Sequence, residues 1–456
     1  MRFSMPIRKI RRAALYLVPY PGKFRQIAPG SLPSDIQLRF NLPMQQYSVS
    51  ALLKHALNRL DGEKAWANPE PRKHYDVVII GAGGHGLATA YYLATQHGIS
   101  GIAVLEKGWL GGGNTGRNTQ VCRSNYFYPE SAAFYDRSLR LYESLSGKLN
   151  FNVMFSRRGN LELSHSLEEL EMNRRWANAM AMNGIDSELL DRDDIRKLAP
   201  ILNLDGRYPV EGGFIQRRAG ISRHDAVGWA FARAASNAGV DIIQQCEVTG
   251  FESNDSRITA LETTRGRIGA EQIALCVAGH SGPLAAKAGL RLPIQSIALQ
   301  AMVTEPVQPV LHTVVGSLVV HCYVSQSDRG DIVIGGGADP FNSFAQRGIL
   351  QTVRDNATAV TELFPSFSRL RLMRQWAGIC DISPDSSPIV GTTAIENLFI
   401  STGWGTGGYK AIPAGGETLA WTICNGESHP LLRPFGLDRF DSGRLIDEGA
   451  AAGVAH

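Results

Sequence analysis

At 456 residues the chain is long enough for two packed domains with a large core, and it is 44% hydrophobic but only 19% charged, below the roughly 25% charge of typical soluble domains. That composition excludes a disordered protein, and the lack of any apolar run of about 18 residues excludes a membrane-spanning helix. Of 46 Lys/Arg and 42 Asp/Glu, eight basic residues and one acid lie within residues 1–43. The formal charge of +4 belongs to that segment, the remainder is net acidic, and a nucleic-acid binder is excluded on charge grounds.

The basic segment carries Pro6, Pro19, Pro21, Pro29, Pro33 and Pro43. Arg11 and Arg12 precede an apolar run at 13–18 that is too short for a secretory signal, and no small-residue cleavage site follows it. Residues 1–43 therefore read as a basic extension, disordered or upstream of a true start at Met44, with 44–74 an arm into the globular body. Asp76-Val-Val-Ile-Ile80 is β-branched and bounded by glycine, which predicts a buried parallel strand. Gly81-Ala-Gly-Gly-His-Gly86 follows, then a helical pattern over 87–97 and a strand over 101–105 ending in Glu106. Further helices are expected at 168–182, 191–197 and 223–238, the last stopped by Gly239. Strands are expected at 240–244, 257–263 and 272–277. Short strands with turn signals at 298–304, 319–324 and 331–334 predict an antiparallel sheet in a second domain. A helix over 347–363, a strand over 397–402 and a glycine run leading to a helix over 414–424 complete the pattern. Six dispersed cysteines (122, 246, 276, 322, 380, 424) form no CxxC pair and no metal-ligand spacing. They read as reduced thiols of a cytoplasmic protein, and no metal is expected.

A lone GxGxxG is weak evidence, but here Gly81, Gly83 and Gly86 sit between strand and helix. The first permits the tight turn, the second lets a pyrophosphate touch the backbone, and the third lets helix and strand pack closely. The helix N-terminus then presents N–H groups and its positive dipole end to the phosphates. Glu106, at the end of the next strand, is placed to accept both ribose hydroxyls and repels a 2′-phosphate. The alternative is a glycine-rich turn without a ligand, but strand, glycines, helix and acid together favour a dinucleotide. FAD is preferred over NAD because residues 107–119 form a long polar glycine-rich loop, suited to run along an extended dinucleotide.

The segments 75–86 and 108–119, Arg123-Ser-Asn-Tyr126, Arg223-His-Asp225, Gly279-His-Ser281, Gly403-Trp-Gly-Thr-Gly-Gly408 and the ending Leu445-Ile-Asp-Glu448 to His456 together resemble the β subunits of heterotetrameric sarcosine oxidases. The likeness runs from about Met44 to the last residue. It implies an α/β (α+β overall) fold class, with a glutathione-reductase-like, discontinuous FAD-binding Rossmann domain over 75–145, 207–285 and 372–440. A substrate domain built on an antiparallel sheet would take 146–206 and 286–371, leaving 441–456 as a tail. The resemblance puts non-covalent FAD on Gly81, Gly83, Gly84, His85, Gly86, Glu106, Asn114, Thr115, Thr119, Val248, Gly403, Gly405, Gly407, Gly408 and Lys410. It also implies α, γ and δ partner subunits.

It implies, further, a second flavin, FMN, joined through its 8α carbon to His224, with Gly279 and His280 beside it. On spacing alone His224 is an ordinary polar residue in a first helical turn, with Ser222 as N-cap and Asp225 in a capping-box-like arrangement. Arg217, Arg218 or Arg223 would serve the FMN phosphate. Monomeric relatives tether FAD to a cysteine; Cys380 lies two residues out of that register, where Gly378 stands instead, and reads as a buried thiol. Oxidising an N-methyl amino acid needs the carboxylate clamped so that the methyl group faces the ring, and a clamp needs fixed cations. Arg123 and Lys410, the latter the only lysine after Lys287, are the candidates, at positions the family uses around flavin and substrate. The lysine that monomeric relatives use towards oxygen has no counterpart between 287 and 410, so electrons would pass from FAD to FMN. Sarcosine is the leading substrate, an N-methylglutamate dehydrogenase subunit or another amine dehydrogenase is the nearest rival, and a non-catalytic flavin-binding assembly subunit is the alternative of another class.

Overall fold

The computed structural model describes residues 64–446, with Leu53 and Leu57 before them. The chain divides into two units between Glu63 and Lys64. The expectations for residues 1–43, for most of the 44–74 arm and for the motif beyond Ile446 lie outside the described residues. The second unit opens with β1 (His74–Ile80), α1 (Gly84–Gln96) and β2 (Ile102–Leu105). There follow β3 (Val121–Cys122), α2 (Pro129–Lys148), β4 (Ser156–Arg157), β5 (Asn160–Ser164), α3 (Leu167–Met182), β6 (Glu188–Leu190) and α4 (Arg192–Leu198). Next are β7 (Gly212–Gln216), β8 (Gly220–Ile221), α5 (His224–Asn237), β9 (Asp241–Ile243), β10 (Val248–Asn254), β11 (Arg257–Thr263), β12 (Gly266–Leu275) and α6 (Ser281–Lys287). The rest is β13 (Gln295–Pro306), β14 (Val314–Ser317), β15 (Cys322–Gln326), β16 (Asp331–Asn342), α7 (Leu350–Leu363), β17 (Leu372–Ile382), β18 (Ile389–Thr392), β19 (Leu398–Thr402), α8 (Gly408–Asn425) and α9 (Arg439–Ser442).

The first sheet has eight strands, with β1 parallel to both β2 and β12 at its centre. β9 and β19 extend the parallel part, and the β10–β11–β12 meander and β18 add antiparallel pairs. The apolar run of β1 is explained by burial on both faces. Val77 and Ile79 pack with α1, α5 and α8, while Val78 and Ile80 pack with Leu275 and Ile400 on the other side. The second sheet runs β17–β13–β16–β15–β14–β5–β7–β6 and is antiparallel except where β14 meets β5. Helix α7 covers it, burying Val360 and Leu363 against a core that contains Met302, Val324 and Ile334. A small third sheet joins β3, β8 and β4.

Several expected elements take a different form. The boundaries 207–285 and 372–440 grouped β7 and β17 with the dinucleotide part, yet both pair into the second sheet, β7 with β5 and β6 and β17 with β13. Nothing in a short apolar strand says which sheet it joins; the pairing is a long-range choice. The capping arrangement at α5 is not formed. The N-cap is Arg223, without a side-chain capping bond, and Asp225 accepts from the Arg223 guanidinium and from its neighbour Ala226 N. The helix expected over 414–424 begins at Gly408, with Pro413 inside it. Proline has no N–H for the carbonyl four residues earlier. That orphan, Tyr409 O, instead accepts from Tyr142 Oη at 2.7 Å, and Lys410 O accepts from Ser138 Oγ at 2.6 Å. Two side chains of α2 thus let α8 continue through a residue that reads as a start signal.

Candidate functional site

A cavity of about 630 Å³ lies at the C-terminal ends of β1 and β2 and extends to the second sheet. Ligands of open parallel sheets bind at such strand ends. Its floor is the β1–α1 turn. Gly81 has φ +108°, and a Cβ there would stand 2.4 Å from the Cys276 carbonyl oxygen. A Cβ on Gly86 would stand 2.1 Å from Gly81 O, so the close strand–helix approach requires glycine at that position. At Gly83 the nearest atom to such a Cβ is Thr115 Oγ1 at 3.4 Å, leaving the cavity side open. Leu87 is the first residue whose N–H returns to the helix, to Gly83 O, while Gly84 N donates to Thr115 Oγ1 at 2.8 Å. Glu106 accepts from Ala82 N at 3.0 Å and Gly108 N at 2.8 Å, one bond per carboxylate oxygen. Each oxygen keeps a further lone pair for a hydroxyl.

The loop after Glu106 is stitched to the second sheet. Asn114 donates through Nδ2 to Ile379 O at 2.7 Å and accepts at Oδ1 from Ile379 N at 2.9 Å, completing the outer edge of β17. Trp376 Nε1 donates to Arg117 O at 2.6 Å, and Thr119 Oγ1 donates to Tyr323 Oη at 2.9 Å. On the opposite wall, the turn between β19 and α8 uses positive φ at Gly403 and Gly405. His85 Nε2 donates to Gly408 O at 2.8 Å, and its ring stacks on Trp404 with centroids 4.4 Å apart. Burial pushes His85 down to about 4, so the imidazole is neutral and fixed as the Nε2–H tautomer. Asp381, also in the wall, accepts from Thr402 Oγ1 at 2.9 Å and Gly403 N at 2.6 Å; burial raises it to about 6.

Of the residues singled out in the sequence, Gly81, Gly83, Gly84, His85, Glu106, Asn114, Thr115, Thr119, Val248, Gly405 and Gly408 line this cavity together. Gly279 and His280, expected beside the second flavin, line it as well, whereas His224 does not. Gly86, Gly403 and Gly407 lie behind its surface; a Cβ on Gly407 would stand 2.2 Å from Tyr135 Oη. Arg123 and Lys410 are not wall residues either. Lys410 is buried and donates to Thr406 O at 3.2 Å. Burial, and then the positive charge of Arg123, holds it well below the usual lysine range. Arg123 donates to Asn125 Oδ1 at 2.6 Å and lies over the Tyr126 ring. Cys380 is a buried thiol in the cavity wall, raised to about 12 by burial. His224 stands in the first turn of α5 with its Nδ1 buried and unpartnered. The arginines expected to serve a phosphate are engaged elsewhere: Arg217 with Glu188, Arg218 with Asp136 and Glu143, and Arg223 with Asp225. Asp381, Tyr323 and Tyr409 are wall residues that sequence reasoning missed. An acid within the apolar 379–382 run was the one available signal.

Residues 76–421 match the family described as FAD dependent oxidoreductase. The sarcosine oxidase subunit beta of Rhodobacter capsulatus is 50% identical over 415 residues, covering 91% of this chain and 100% of that protein. The protein of the same name from an Arthrobacter species is 52% identical over 396 residues, 86% of this chain and 98% of its own. Among solved structures, an L-proline dehydrogenase from P. horikoshii superposes with a TM-score of 0.77 at 24% identity, covering 82% of this chain and all of that one, a likeness of fold. The chain belongs to the FAD-dependent oxidoreductase family and, within it, to the sarcosine oxidase β subunits.

Proposed function

We propose that this chain is the catalytic, flavin-bearing β subunit of a cytoplasmic heterotetrameric sarcosine oxidase, with α, γ and δ partners, that oxidatively demethylates sarcosine to glycine. The observation that carries the reading is the cavity itself. A glycine turn with an open Gly83, an acid at the next strand end and a long loop sewn to a second sheet form a cradle suited to an extended FAD. The division of labour that follows assigns the dinucleotide to the first sheet and the substrate to the second. The flavin, when bound, supplies the acceptor for the hydride leaving the carbon next to nitrogen. Beside that cavity, the half-buried Arg123 supplies the fixed positive charge that a substrate carboxylate needs, and the buried Lys410, held low by burial and by Arg123, would gain its charge back from that carboxylate. The neutral His85 and its bond to Gly408 O hold the β19–α8 turn against α1.

FMN, the second flavin, is assigned to a covalent bond at His224. Support comes from the buried Nδ1 without a partner, since an imidazole that gives one nitrogen to a covalent bond needs no donor or acceptor there. Anaerobic addition of sarcosine to the purified complex should bleach the visible flavin band, and an unbleached spectrum refutes the catalytic reading. N-methylglutamate in the same assay should bleach it far more slowly; the reverse order would favour an N-methylglutamate dehydrogenase. Flavin fluorescence should survive denaturing gel electrophoresis of the wild type and vanish in His224→Ala. Fluorescence that persists in the variant places the bond elsewhere.

A further inference from the structure

Ser222 stands two residues before His224, one position outside the N-cap Arg223, and its hydroxyl makes no bond to the first turn of α5. It is buried and lies 2.6 Å from Tyr409 Oη, the hydroxyl of a residue in the wall of the dinucleotide cavity. The Tyr409 hydroxyl also donates to Ser222 O at 3.0 Å. A carbonyl only accepts, so the direction of the chain is fixed: Tyr409 donates to Ser222 O, and Ser222 Oγ donates to Tyr409 Oη. Cys122 Sγ, 3.3 Å from Ser222 Oγ, is then placed to donate to the serine. All three side chains are buried, and burial keeps both the thiol and the phenol protonated. Both ends of this bridge are held. Tyr409 O is tied by Tyr142 Oη, and the backbone around Ser222 is tied by Ser222 N to Gln120 O and by Arg223 N to Val153 O, each at 3.0 Å.

We infer that Tyr409 is a positioning residue that fixes the start of α5, and with it His224, against the wall of the dinucleotide cavity. The inference rests on the assignment of the covalent flavin to His224. It gives the chain's own means of setting the separation of two redox centres, since one tyrosine belongs to the wall of one site and holds the helix of the other with its hydroxyl.

The test uses the whole complex with Tyr409→Phe, which keeps the ring and removes the hydroxyl, and Ser222→Ala, which leaves Tyr409 its carbonyl acceptor. Amide exchange across residues 219–228, followed by mass spectrometry, should quicken about tenfold in Tyr409→Phe, the size expected from one lost buried hydrogen bond. In anaerobic stopped-flow reduction, the ratio of the second, inter-flavin phase to the first should fall. Ser222→Ala should show the same signs at smaller size, and it decides the matter if Tyr409→Phe does not fold. A wild-type chain without flavin fluorescence on a denaturing gel overturns the attachment at His224 and this inference together. Wild-type fluorescence with exchange and phase ratio both unmoved in the variants, even with a lowered melting temperature, overturns the inference alone.

Discussion

A carboxylate without a cation to pair it is expensive to bury, and Asp381 is 1% exposed. Hydrogen bonds from Thr402 Oγ1 and from backbone N–H groups, Gly403 N among them, lower the cost without cancelling it, so burial still raises its value from 3.8 to about 6. Because the folded value lies above the unfolded one, its share of stability is complete below the unfolded value and is lost as pH rises through the folded value. Asp381→Asn cannot titrate. Its melting temperature should therefore gain a few degrees on the wild type between about pH 5 and about pH 8. A difference that stays constant with pH would show that Asp381 is not the titrating group. At this scale the sequence was legible where chemistry imposes a spacing. Gly81, Gly86 and Glu106 could be named because a tight strand–helix turn, and an acid tying that turn to the next strand, impose a fixed spacing. Asp381 and Tyr409 could not, because their importance lies in partners 21 and 187 residues away.

Helix α8 shows how an element can depend on its neighbour. Its first turns are open at Pro413, and the missing backbone bond is replaced by Tyr142 Oη on Tyr409 O. Tyr142→Phe would leave that buried carbonyl unsatisfied and should cost about 1–3 kcal/mol in denaturant unfolding. No measurable loss would mean that water takes the hydroxyl's place. The expected start at 414 failed for the same reason: Pro413 signals a beginning unless another helix supplies the bonds. The helices α3, α4 and α5, by contrast, fell within a residue or two of their expected ends, because each carries its own periodicity and stop signals. Helix α2 was not anticipated. Its buried face mixes Ser131 and Ser138 with Phe134 and Tyr142, which blurs the apolar stripe.

Across the whole molecule, stability concentrates where chain segments far apart in sequence meet. Arg439 in α9 makes two bonds to the Asp385 carboxylate, at 2.7 and 2.8 Å, with both side chains almost fully buried. Burial opposes the charge on Asp385, but Arg439 and nearby backbone N–H groups outweigh it and hold the carboxyl below its usual range. Arg439→Met would strand that charge at a cost of about 3–5 kcal/mol near neutral pH. Since a depressed acid gives stability only above its folded value, the penalty should shrink as acid protonates Asp385, and chemical denaturation at several pH values measures it. A penalty independent of pH would mean that packing, not charge, is lost. The broad architecture was legible because βαβ order and sheet texture are written locally. The membership of β7 and β17 was not, because a strand's partners are settled by the finished core. The same long-range economy governs the loop sewn to β17 by Asn114, Trp376 and Thr119. These three ties span the seam between the part of the fold that carries the glycine turn and the part that roofs it. Because they bind one loop to three separate points of the second sheet, the loop's position is a property of that sheet's packing, and a change in the second core is felt at the mouth of the glycine turn.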